Sequence, residues 1–96
     1  MNKKEKISDI IKTNKEYLIN KYHLKNIGIF GSVCRADFND TSDVDILVDF
    51  SQPVGVEFID LADELEQLLN RKVDLVSKNG IKQKYFSEIE KDLIYV

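Results

Sequence analysis

The chemistry open to this 96-residue chain is concentrated in a handful of side chains. Asp43 and Asp45 stand two apart in the run DVDILVDF over residues 43–50. Residues two apart on a strand point the same way, so both carboxylates leave one face, close enough to share a cation. Two bare carboxylates at that spacing repel each other, and a hard divalent ion relieves the repulsion. The competing reading is a pair of solvated acids on the wet face of a half-buried strand. Gly31-Ser32 ends the preceding apolar segment. Glycine there lets backbone N–H groups approach an anion and serine adds a hydroxyl, although many Gly-Ser pairs are ordinary turns. Asp74 lies inside the apolar run Val73-Asp74-Leu75-Val76, an odd place for a charge unless it faces a cleft or a metal, or the outward face of an edge strand. Arg35 follows Ser32 by three residues and could steady phosphate charge through its planar fork, or pair with Asp37 or Asp40. Three carboxylates beside an anion cradle are what a two-metal phosphoryl transfer requires. One ion holds the triphosphate and leaving group, and the other lowers the pKa of the attacking hydroxyl.

Those residues must be carried by regular elements, and the hydrophobic pattern supplies them. Ile7, Ile10, Ile11, Leu18 and Tyr22 fall at helical spacing within residues 4–22, which predicts a first helix. Asn26 to Phe30 reads as a buried strand running into the Gly31-Ser32 turn. Val33 to Ala36 suits one or two helical turns, and Asp37 to Ser42 is turn-forming. Over Asp43 to Phe50 the residues Val44, Ile46, Val48 and Phe50 alternate with Asp43, Asp45, Leu47 and Asp49, predicting a strand with one apolar and one mostly acidic face. After a loop at 51–55, Phe58, Leu61, Leu65, Leu68 and Leu69 share a stripe and predict a second helix. Lys72 to Val76 reads as a strand, Asn79-Gly80 as a turn, Ile81 to Glu90 as a helix, and Leu93 to Val96 as an extended segment. This order describes an α/β or α+β domain with a single mixed sheet flanked by helices.

Length and composition narrow the function. A chain of 96 residues accommodates one domain, 1–96, with little material for a separate acceptor-recognition module, so an acceptor would be recognised largely through a partner. Asp and Glu total 17 against 14 Lys and Arg, giving a net charge of −3. That balance lacks the basic footprint of a phosphate-backbone binder and disfavours nucleic acid as the acceptor. Cys34 is the only cysteine, which excludes an internal disulfide and fits a structural thiol in a reducing compartment. No apolar run reaches membrane-spanning length and the polar Met1 to Lys6 segment has no apolar stretch after it, so a cytoplasmic protein is expected. His23, the only histidine, has no companion for catalysis and reads as a surface residue. Tyr17, Tyr22, Tyr85 and Tyr95 read as packing residues with a polar tip. Arg71, Lys72, Lys78, Lys82 and Lys84 read as a mildly basic solvated surface or, alternatively, a docking face for an acidic partner.

Gly31-Ser32, ten intervening residues, Asp43-Val44-Asp45, and then Val73-Asp74-Leu75-Val76 together resemble the signature of the DNA polymerase beta-like nucleotidyltransferase superfamily. Within it the chain looks most like the minimal nucleotidyltransferase antitoxins, MntA-like protein adenylyltransferases that stand beside a helical HEPN-domain ribonuclease toxin. The similarity runs from the Phe30-Gly31-Ser32 turn to the closing Leu93-Ile94-Tyr95-Val96. The resemblance implies the polymerase beta-like fold and magnesium-dependent transfer of AMP from ATP to a tyrosine of the toxin, within a type VII-like toxin–antitoxin pair. It makes Gly31 and Ser32 the nucleotide-phosphate contacts, with Arg35 beside them. Asp43 and Asp45 become the two principal magnesium ligands, and Asp74 the third carboxylate, acting as ligand or base on the acceptor hydroxyl. Where many relatives carry Ala-Arg-Gly after the turn, this chain has Cys34-Arg35-Ala36, which stiffens the loop and removes no ligand. The alternative is a non-catalytic antitoxin that neutralises its partner by binding alone.

Overall fold

The computed structural model describes residues 2–96. Helix α1 spans Lys3–Tyr22, strand β1 Leu24–Phe30, strand β2 Val44–Phe50, helix α2 Glu57–Leu69, strand β3 Val73–Ser77, helix α3 Gln83–Glu90 and strand β4 Ile94–Tyr95. Gly31–Cys34 forms a short 3₁₀ turn between β1 and β2. The four strands make one mixed sheet in the order β3-β2-β1-β4. β1 is antiparallel to β2 and β4, while β2 and β3 are parallel. The predicted single mixed sheet is therefore present, with the C-terminal segment paired to β1.

Local chemistry sets the helix ends. Asn2 caps α1, its side-chain oxygen accepting the Glu5 backbone N–H at 2.8 Å while its side-chain amide donates to the Glu5 carboxylate, a reciprocal pairing that satisfies one orphan donor of the first turn. His23 and Asn70 close α1 and α2 in the left-handed conformation, with φ of 57° and 51°, a geometry in which such residues are enriched. His23 is thus an exposed helix terminator, as its isolation in the sequence suggested.

Both long helices pack on one face of the sheet. Ile7, Ile11, Leu18 and Tyr22 of α1 and Leu61, Leu65 and Leu69 of α2 meet Ile27 and Ile29 of β1 and Val44, Ile46, Val48 and Phe50 of β2. Each fully buried aliphatic side chain contributes about 1.5–3 kcal/mol. A one-residue slip of β2 would exchange these four for Asp43, Asp45, Leu47 and Asp49, so burial fixes which way the acids point. The opposite face is not purely acidic. Leu47 is fully buried but lies outside that cluster. It pairs with Gly28, where an added Cβ would stand 2.7 Å from the Leu93 side chain. Leu93 thus closes over the second face, and a side chain at 28 would push it away. Of the four tyrosines only Tyr22 packs inside, whereas Tyr17, Tyr85 and Tyr95 are exposed, because each falls on an outward position of its element.

Two polar ties outside the core carry testable consequences. Asn79 accepts the Phe50 N–H at 2.9 Å and donates back to the Phe50 carbonyl at 3.3 Å, replacing a neighbouring strand at the end of β2. Asn79→Ala leaves both groups unmatched and is expected to cost about 1–3 kcal/mol in urea unfolding. Glu64 accepts from the Tyr22 hydroxyl and from the Lys21 ammonium at 3.0 Å. Burial pushes the Glu64 carboxyl up, but the Tyr22 and Lys21 hydrogen bonds outweigh it and hold the group below its ordinary value. A carboxyl depressed on folding stabilises fully above its unfolded pKa and loses that contribution as pH falls through the folded value. Glu64→Gln should therefore melt below the wild type at neutral pH, the gap closing as pH falls below the ordinary carboxylate range and through the depressed folded value.

Candidate active site

The chemical residues come together where β2 begins, between the end of β1 and the start of β3. The parallel register sets Asp45 beside Asp74 and Val44 beside Val73, and the Val44 N–H donates to the Lys72 carbonyl at 3.0 Å. Neighbouring strands lie about 4.8 Å apart, and residues paired across them share a face. Val73 and Leu75 pack against the main core, so Asp74 between them lies on the opposite face with Asp45. β3 is an edge strand and Asp74 is exposed on it, beside Asp45 of β2.

The antiparallel register places Phe30 opposite Asp45, which brings the Gly31-Ser32 turn over the same point. Gly31 adopts φ of +71°, and a Cβ there would run into the Asp45 carboxylate, 3.2 Å from its Cγ. Only glycine suits both the backbone and the space. The Ser32 hydroxyl donates to the Asp43 carbonyl at 3.3 Å, tying the turn to the residue that leads into β2. Asp45 is half-buried while Asp43 and Asp74 are exposed. Burial, then the charge of Asp74, push the Asp45 carboxyl above its ordinary range; the Ser32 backbone N–H opposes them, and Asp43 adds to the rise. Asp45 therefore rests against the very donors that could bind a phosphate.

Among the described residues no three acidic, histidine or cysteine side chains are already gathered as a metal cage. Asp45 instead leans on the turn. The donors suit a hard divalent cation of the magnesium type, since they are carboxylate oxygens. Burial pushes the nearby Cys34 thiol up, leaving it protonated and a poor ligand. Arg35 is exposed and pairs with Asp92 at 3.4 Å, not with Asp37 or Asp40, although its charge still reaches Asp45. Beside it opens a cleft of about 610 Å³ where Lys3, Lys4 and Lys6 of α1 face Cys34 and Arg35. The net charge of the chain conceals this local cationic rim. No helix among the described residues is long and apolar enough to cross a membrane.

The sequence reading missed Arg71, grouped there with surface cations. Its side chain is 15% exposed and grips the segment leading to Asp43. Its residue type carried no signal of this; in the structure it directly follows Asn70, the left-handed residue that ends α2.

A single sheet that seats a Gly-Ser turn over acids on two parallel strands defines a class, and comparison places the chain within it. The chain belongs to the polymerase beta nucleotidyltransferase family, whose model matches residues 5–96. It is similar to MJ0128 of Methanocaldococcus jannaschii, 48% identical over 92 residues that cover 94% of each chain. It is also similar to the protein adenylyltransferase MntA of Thermococcus cleftensis, 39% identical over 93 residues covering 96% of this chain and 94% of that one. The fold matches a toxin–antitoxin structure with AMP-PNP, at a TM-score of 0.74 and 22% identity over 88% of this chain and 70% of the other. A tri-AMPylated Shewanella oneidensis HEPN toxin in complex with its MNT antitoxin matches at a TM-score of 0.68 and 20% identity, over 91% and 69% of the two chains. The protein is a nucleotidyltransferase enzyme with the polymerase beta-like fold.

Proposed function

We propose that this enzyme transfers AMP from ATP to a hydroxyl, foremost a tyrosine, of a HEPN-type partner protein in the cytoplasm, and thereby acts as an antitoxin. The observation that carries this reading is the register of Asp45 with Asp74 directly under the Gly31-Ser32 turn. Similarity to MntA, a protein adenylyltransferase, supports protein as the acceptor class.

In this reading Gly31 and Ser32 present main-chain and hydroxyl donors to the triphosphate, while Arg35, three residues beyond Ser32, balances its charge. Asp43, Asp45 and Asp74 would hold magnesium, two ions in the full site, which neutralises charge developing on the phosphates when bound. The acceptor oxygen attacks the α-phosphorus, the bond from that phosphorus to the bridging oxygen breaks, and pyrophosphate leaves. Asp74 takes the hydroxyl proton. Its exposure on an edge strand leaves room for a side chain carried by a bulky protein acceptor.

The test is incubation of the partner with ATP labelled at the α-phosphate and magnesium. Label should enter the partner with wild-type enzyme and be lost with Asp43→Asn or Asp45→Asn. Label persisting with both variants would refute the assignment. A second reading, neutralisation by binding alone, is favoured by Val56 and Ile59, which are 71% and 62% exposed three residues apart at the start of α2. If the same variants still neutralise the partner at equal expression, contact suffices.

A further inference from the structure

We propose that Arg71 is a positioning residue that sets where Asp43, just ahead of β2, stands relative to Asp74 of β3. This inference rests on the catalytic reading above. Arg71 follows the end of α2 and precedes Asp74 by three residues. Its Nη1 donates to the carbonyls of Asn39 and Ser42, both at 3.0 Å. Nη2 reaches Asp40 at 3.4 Å, and the guanidinium lies 4.7 Å over the Phe38 ring. One planar group thus engages four points of the 35–43 connection, and Ser42 immediately precedes Asp43. Asp40 also pairs with Lys3 at 2.8 Å, extending the clamp to the start of α1.

The backbone of the same junction is fixed on its other side. The Arg71 N–H donates to the Glu66 carbonyl at 3.3 Å, and the Glu66 carboxylate accepts the Val73 N–H at 2.9 Å. Arg71 therefore joins a rigid helix-to-strand junction carrying Asp74 to an otherwise irregular connection carrying Asp43. Without it, Asp43 would still be attached to β2 and tied to Ser32, but the chain ahead of it would lose its hydrogen bonds to the α2–β3 junction and keep only the Lys3–Asp40 pair. A lysine has the charge without the fork, and it cannot span two carbonyls and stack on a ring at once.

The measurement is manganese affinity in the presence of a non-hydrolysable ATP analogue, followed by electron paramagnetic resonance, alongside the transfer assay. Arg71→Ala and Arg71→Lys are expected to weaken manganese binding and lower kcat by roughly 10–100-fold, with KM for ATP changed less than about two-fold. Millimolar guanidinium should restore part of both in Arg71→Ala. Asn79→Ala, which weakens the fold away from the acids, serves as the control and should keep wild-type manganese affinity. Arg71 variants that match Asn79→Ala in affinity and kcat overturn the proposal, and Arg71→Lys gives this answer if the alanine variant does not fold. If wild type and Asp45→Asn bind manganese equally, the catalytic reading itself fails, a different outcome from an unaffected Arg71 variant.

Discussion

Replacing Asp45 by asparagine is expected to lower AMP transfer on the order of 10³-fold, and to raise the melting temperature in buffer free of divalent ions. The two effects have one cause. Asp45 is half-buried with Asp74 beside it in register, and burial and that neighbour both push its carboxyl above its ordinary value. A carboxyl raised on folding is more costly ionised in the native state than in the unfolded one, so at neutral pH it destabilises the fold. Asparagine keeps the shape and an acceptor for the Ser32 N–H but removes the charge. The difference in melting temperature should shrink as pH falls through the raised range of the folded carboxyl and vanish below about 4, where unfolded aspartate also takes up its proton. Loss of transfer would follow from removing one anionic ligand of the proposed site. Scanning calorimetry across pH and the labelling assay on the same preparation check both parts. A variant that melts lower than wild type at neutral pH would show that the acid is a net structural support.

Gly31→Ala should produce the second large effect, on the order of a 10²-fold loss of transfer, with about 1–3 kcal/mol of stability. Alanine is strained at φ of +71°, and its methyl group would displace the Asp45 carboxylate. The two contributions can be separated. In the double variant Gly31→Ala with Asp45→Ala the collision is gone and only the backbone cost remains. Urea unfolding should then show the alanine at 31 costing less in the Asp45→Ala background than alone. Equal costs in the two backgrounds would mean that the turn and the acid do not press on each other.

The legible part of the site was local in sequence. Alternation across residues 43–50 fixed the face of Asp43 and Asp45, because four apolar side chains on one side leave the acids only the other. Asp74 was legible for the same reason, as Val73 and Leu75 on either side had to face the core. What could not be read were contacts between distant segments. Arg35 had two nearby acids as candidate partners, but the sheet brings Asp92, 57 residues on, into its reach. The pairing of β4 with β1 depends on Gly28 admitting Leu93, a fit that exists only once both strands are placed. Arg71 looked like one of several surface cations because its partners are main-chain carbonyls, which leave no trace in residue type. Leu47 broke the alternation without revealing that a second, smaller apolar layer covers its face.

The central claim is that the acids of β2 and β3 close on divalent cation and nucleotide beneath the Gly31-Ser32 turn. Anomalous diffraction from crystals grown with manganese and a non-hydrolysable ATP analogue tests it most directly. The account predicts manganese density bridging Asp43 and Asp45, with Asp74 alongside and the analogue's phosphates on the turn. Manganese and phosphates located elsewhere on the chain, with all three carboxylates free of both, would contradict it.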